Sequence, residues 1–433
     1  MQISPKSRAG IYYVSCEMLK RLPVRNKQGD FRPTPRLTNW MRPPQIQQEH
    51  FEMAKTEHHP NGLIHYNPQL SHRGYTLFSA MTNKAFLIDM KGQFVHQWEH
   101  EGGITNPELL PNGNLIAMAM PSPETEGQKG LNGQAAALFE LDWEGNVVWE
   151  YADPWMHHDY HRLPNGNTLI LKWEPLPKSF PKRIRGGYPA EDVDPNLMLG
   201  DVVLEVKPDG SLKQKWKSWN HLDPRIDLIC VMDDRREWTH ANSISLSPRG
   251  DWVISFRRTS TIIQVNPRSG KIKWRFKDPE MSHQHDAKFT AAGTMTIFDN
   301  GVHRRGVEYS RAIEIDPKTK KVIWEYTDNP PFTMYTVMGG CVDRLSNGNT
   351  LITETSKGQF LEVTPQNKVV WEYINPFFVT NPRLGGRFNG VFRAHRYTQS
   401  HPALKDKDLD PGKLANLNRL YCDQAAMVFS GAE

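Results

Sequence analysis

The chain has 433 residues, 38% hydrophobic and 23% charged, with a formal net charge of +5. That composition excludes a disordered chain, and charges this interspersed, with no run of five or six of one sign, argue against nucleic-acid binding. No stretch approaches 18 apolar residues, so no membrane span is expected, while 31 Gly, 32 Pro and 13 Trp favour many short strands joined by turns over a helical bundle.

Residues 1–62 are rich in Pro, Arg and Gln and carry no repeat, so they read as an N-terminal arm. Their composition alone leaves a homo-oligomer by arm exchange open. They are basic but lack an apolar core of the kind a secretory signal needs. Cys16, Cys230, Cys341 and Cys422 form no CxxC pair and read as free thiols of a reducing, cytoplasmic compartment.

From residue 63 one unit recurs: an alternating apolar strand, a turn, then a short strand ending in Trp. AFLIDMKGQFVHQW ends at Trp98, LFELDWEGNVVW at Trp149 and VLEVKPDGSLKQKW at Trp216. IIQVNPRSGKIKW ends at Trp274, AIEIDPKTKKVIW at Trp324 and FLEVTPQNKVVW at Trp371. Alternation such as Ile313 and Ile315 gives a strand with a buried face, and the Asp/Asn/Gly segments supply hairpin turns. The Trp residues read as packing between neighbouring units. Between these hairpins lies a second one, opened by LPNGNLIAM, LPNGNTLIL, LSPRGDWVI, FTAAGTMTIF or LSNGNTLIT. Two hairpins per repeat make a four-stranded sheet, and six sheets in a ring make an all-β, six-bladed β-propeller over residues 63–375. In the C-terminal extension, 376–433, Val391–Tyr397 is a further alternating strand fit to close the ring, and a short helix is expected around Pro411–Leu420.

The innermost strand of each blade lines the channel. Aligned on Leu110, Leu163, Leu246, Phe289 and Leu345, these strands carry His157 with Asp159, His240 with Asn242, and His283 with His285 at spacing two. Residues two apart share a strand face, so each pair is expected to point together. His158 sits beside the first pair and His161 is nearby. His65, His72, His96 and His100 fall outside the pattern.

The segments HHDYHRLPNGNTLIL, THANSISLSPRGD, ISFRRTSTIIQVNPRSGKIKW, QHDAKFTAAGTMTIFDNG and VFRAHRY resemble the arylsulfate sulfotransferase (arylsulfotransferase) family, over about residues 65–400. The resemblance implies a six-bladed propeller that moves a sulfuryl group from a phenolic sulfate to a phenol through a sulfated histidine. It places the nucleophile on His285 and oxyanion contacts on His240 and Asn242. It matches the family arginine to Arg257, with Arg258 adjacent, and one more histidine to His157 or His158. His283 and Asn300, the latter in FDNG, are candidates for substrate contacts. The signal peptide, N-terminal β-sandwich and cysteine pair of the family's characterised type are not found in this sequence.

These residue types suit the chemistry. Sulfuryl transfer, like phosphoryl transfer, loads charge on the equatorial oxygens. Arg, His and Asn are aimed donors for that charge, and a neutral imidazole is a competent nucleophile near pH 7. Tyr335, Trp173 and Phe298 are the aromatic side chains that could stack a substrate, with packing as the plainer role. The expected partner is a small aromatic anion, and no cofactor is expected. The alternative is a metal-dependent lyase or hydrolase, with a divalent transition metal held by His283, His285, His157, Asp159 and His240.

Overall fold

The computed structural model describes residues 61–121, 131–190, 197–381 and 386–422. Apart from its last two residues, the expected N-terminal arm lies outside them, as does Cys16.

Six small antiparallel sheets follow one another along the chain. Blade 2 is Thr105–Leu109, Leu115–Met118, Ala137–Leu141 and Val147–Ala152, counted outward from the axis. Blade 3 begins with Met156–Arg162, blade 4 with Ala241–Leu246, blade 5 with His285–Phe289 and blade 6 with Cys341–Arg344. Blade 1 takes three strands from residues 74–99 and its innermost strand, Ala394–Thr398, from the far end of the chain. Blade 6 gains a fifth, outermost strand, Gly62–Tyr66, on Val369–Ile374. Strands from near both ends of the described chain are therefore paired into the first and last blades, on either side of one seam, which fastens the ring there. The closing strand falls where the alternation of residues 391–397 puts it. The helix is Ala415–Tyr421, entered through a 3-10 turn at Pro411–Leu414 and capped by Asp410.

Every sheet is buried on both faces. Leu77 packs with blade 2, whereas its neighbour Phe78 packs with blade 6. Likewise Ile254 belongs to the core shared with blade 3 and Val253 to that shared with blade 5. Six such inter-blade cores complete the ring. Double-sided burial explains near-continuous apolar strands such as Leu199–Val206.

The repeated Trp residues latch these interfaces in a closed circuit. Each indole donates its N–H to a backbone carbonyl in the turn region of the next blade: Trp98 to Asp142, Trp149 to Pro208, Trp216 to Gly270, Trp274 to Pro317, Trp324 to Pro365 and Trp371 to Met90. A Trp suits this place because it fills the interface and still satisfies its single donor.

Two excursions shape the channel mouth. Gly186–Tyr188 pairs in parallel with Ile229–Asp234, forming a strap between blades 3 and 4 that delivers Asp233, Asp234 and Glu237. The segment 131–135 turns over blade 3, where the His158 N–H donates to the Gly133 carbonyl at 2.6 Å. Gly133 has φ +78°, and a Cβ there would lie 2.2 Å from His158 Nε2, so only glycine fits.

Candidate active site

A cavity of about 410 Å³ opens at one end of the axis, with residues from all six blades in its wall. His158, His240, His285, Arg257 and Arg258 line it on the polar side. Met118, Met120, Leu131, Met338 and Phe392 supply apolar wall. The three imidazoles are buried, and the rings of His158 and His240 meet edge to face with centroids 4.4 Å apart. Residues remote in sequence thus converge with a guanidinium.

The expected pairing by strand parity does not hold. His158, His240, His283 and Asp286 all have positive φ, between +53° and +58°. A left-handed residue inside a strand inserts a bulge and swaps the faces of the residues beyond it. The register indeed shifts between Ala241 and Ser243 and between His285 and Lys288. So His158, not His157, enters the cavity. His157 lies behind it, Nδ1 to Nδ1 at 3.0 Å, stacked on Trp173 with Nε2 3.3 Å from Asp201. Asn242 is buried and donates its amide to the Gln284 carbonyl at 2.7 Å, a brace between blades 4 and 5 rather than an oxyanion contact. His283 turns away to Asp233, Nε2 to Oδ2 at 2.9 Å.

The aromatic candidates are likewise spoken for. Tyr335 donates its hydroxyl to Glu308 and is not part of the cavity wall. Trp173 donates to Glu237 at 2.8 Å, and Phe298 is core between blades 5 and 6. The alternative metal set does not converge either: with His283 turned to Asp233, Asp159 is bidentate to Arg393 at 2.8 and 3.0 Å.

His285 is held in one tautomer. Asn300 spends both amide hydrogens on the carbonyls of Thr336 and Gly339, at 3.0 and 2.9 Å. Its Oδ1, 2.8 Å from His285 Nδ1, can then only accept, so Nδ1 carries the proton. Nε2 keeps its lone pair, approached by the Gly339 N–H at 3.3 Å. Asn300 therefore acts from behind the ring, not on a substrate. Burial, followed by the charge of Arg257, pushes the His285 pKa down to about 3, so the ring is neutral across the ordinary pH range. Burial also drives His158 and His240 well below 6.5, aided by neighbouring rings and by Arg257 and Arg258 respectively.

Sequence reasoning missed Glu237. Its carboxylate accepts from His240 Nδ1 at 2.5 Å and from Trp173 Nε1, with Arg258 at 3.4 Å. Burial raises its pKa against the pull of Arg258. The spacing of Glu237 and His240 along an irregular loop carries no periodic signal. Arg258, although in the wall, is tied to Asp234 and Glu237. Arg257 is looser, 3.7 Å from Asp233 and donating to the Val337 carbonyl at 3.3 Å, which leaves it donors for an anion.

Arg393 was also missed, although it lies within the VFRAHRY segment. It crosses the axis to Asp159, with Asp286 3.5 Å away. Asn106 Nδ2 and the Ile244 N–H complete the shell of Asp159, at 3.0 and 2.8 Å. This layer separates the cavity from a second one of about 290 Å³ on the other side, lined by Glu108, Lys288, Asp343 and His395 among others.

The axis of this propeller thus gathers three buried imidazoles beside an arginine. The sequence comparisons give that site a family: residues 49–283 and 201–376 each match an arylsulfotransferase (ASST) family model, and the chain belongs to the arylsulfotransferase family. It is 22% identical to the arylsulfate sulfotransferase AssT of Escherichia coli O6:H1, covering 50% of this chain and 48% of that one. Against the arylsulfate sulfotransferase AssT of Lelliottia amnigena it is 21% identical, covering 64% and 58%. The chain thus spans about half the length of the curated relatives it matches. Among solved structures, a streptogramin B lyase overlays with a TM-score of 0.42 at 12% identity, covering 78% of this chain and 93% of that one. That overlay is too loose to carry an argument. No helix among the described residues is long and apolar enough to cross a membrane.

Proposed function

We propose that the protein transfers a sulfuryl group from an aryl sulfate to a phenolic acceptor, with His285 as the covalent carrier. The observation that supports this reading most is the fixed tautomer: Asn300 takes Nδ1–H, so the lone pair is on Nε2, held only by the long Gly339 contact of 3.3 Å, in a ring that lines the cavity with Arg257. In the first half-reaction Nε2 attacks sulfur, an N–S bond forms and the aryl O–S bond breaks. The phenolate leaves and is protonated from solvent. In the second half, the acceptor phenol oxygen attacks sulfur, its proton passes to Nε2 of His240, and the N–S bond breaks. His240 can take that proton because its Nδ1–H is already donated to Glu237, and it then returns it to solvent. Arg257 balances the sulfate charge, and His158 lies in the same wall, its ring edge to face with that of His240. The methionines and Phe392 suit an aromatic ring in the same cavity.

Mass spectrometry after exposure to 4-nitrophenyl sulfate tests the reading. A sulfuryl adduct on His285, absent from His285→Ala, is expected. Absence of both adduct and released phenol would sink it.

A further inference from the structure

Outside the cavity, three side chains form a cluster of another chemistry. Cys230 on the strap, His283 at the entry to blade 5 and His303 in the loop after FDNG bring one ligand atom each to within 4.8 Å of one another. Cys230 Sγ is 3.3 Å from His303 Nδ1, and the His283 and His303 rings meet edge to face with centroids 4.8 Å apart. We propose that Cys230, His283 and His303 form a Zn2+ site, distinct from the transfer site and independent of the reading of it, that pins the strap to blade 5.

The geometry is close to what the ion needs. Zn–S near 2.3 Å and Zn–N near 2.0 Å at tetrahedral angles put ligand atoms about 3.3–3.5 Å apart. The donor set, one thiolate and two imidazoles, is of the borderline-soft kind that selects Zn2+ over Mg2+ or Ca2+. A fourth position remains for water. Both nitrogens of His283 have partners, Asp233 Oδ2 at 2.9 Å from Nε2 and Ser282 Oγ at 2.8 Å from Nδ1, so the ion would displace one of them and leave the other to orient the ring. Binding drives the Cys230 proton to solvent; Zn2+ with one thiolate leaves +1, which with the +1 of Arg257 faces the −1 of Asp233 and the −1 of Glu308, the acceptor of the His303 backbone N–H. Both histidines hold φ near +60°, at +58° for His283 and +61° for His303, a conformation that costs a non-glycine residue about 1 kcal/mol or more. The strap so fixed is the one that holds Asp233 against Arg257.

Cobalt substitution tests the site without relying on activity. The purified full chain, stripped with chelator, is titrated with Co2+ and then Zn2+. A thiolate-to-cobalt charge-transfer band with a stoichiometry of one per chain is expected, bleached by Zn2+. Cys230→Ser should abolish the band, His303→Ala should weaken binding at least tenfold, and His240→Ala should leave it intact because that cluster has no sulfur. No band in the wild-type chain would overturn the proposal, as would a band that survives Cys230→Ser.

Discussion

The tautomer of His285 can be attacked through Asn300 without touching the ring. Leucine at this position keeps the volume but cannot accept a hydrogen bond. Asn300→Leu therefore leaves the buried Nδ1–H without its 2.8 Å acceptor. An orphaned buried donor costs about 1–3 kcal/mol, and that sum is the preference that now keeps the proton off Nε2. Part survives, because the Gly339 N–H still favours a bare Nε2. The expected loss is about 1.4–2.8 kcal/mol, or 10- to 100-fold in the rate of His285 sulfation, with little change in the concentration of aryl sulfate needed for half-saturation. Single-turnover release of 4-nitrophenol from 4-nitrophenyl sulfate measures it. Asn300→Asp separates tautomer from folding. It restores an acceptor, so much of the rate should return at alkaline pH. Its carboxylate would also raise the His285 pKa, so an acid limb absent from the wild type should appear. Sulfation by Asn300→Leu within twofold of wild type would refute the argument.

Because the His285 pKa falls to about 3, sulfation of the wild type should show no acid limb near 6.5. The same shift makes stability pH-dependent: the unfolded ring binds a proton near 6.5 and the folded one does not, so stability is lost as pH falls through 6.5. By pH 5 this one group should cost about 2 kcal/mol, and the gap in urea-unfolding free energy between wild type and His285→Gln should shift by that much from its value at pH 7.5. Trp274→Phe removes the donor to Pro317 and leaves that carbonyl unpaired, so a loss of about 1–2 kcal/mol is expected in the same assay. Arg393→Met leaves the buried carboxylate of Asp159 without its cation, whereas Asp286 keeps Lys288 at 2.8 Å, and should cost about 3–5 kcal/mol. An unchanged midpoint would mean that solvent, not Arg393, satisfies Asp159. His158→Ala should depress sulfation by about tenfold or more through the lost packing against His240, with aryl sulfate turnover as the readout.

The propeller was legible in the sequence because its blades repeat. Period-two strands, hairpin turns and a Trp at the end of each unit are local signals, set by the pleat and by the need of each sheet to bury both faces. The closing strand was legible for the same reason, as was the gathering of histidines on inner strands. Which histidine faces the cavity was not, because the left-handed residues at His158, His240 and His283 break the alternation from which faces were inferred. Glu237, Arg393 and the Cys230–His303 contact join loops and strands from different blades, through no spacing that a linear pattern could record. The amino-acid order fixes what each strand can bury. Only closure of the ring decides which polar groups, barred from water at its axis, must find one another.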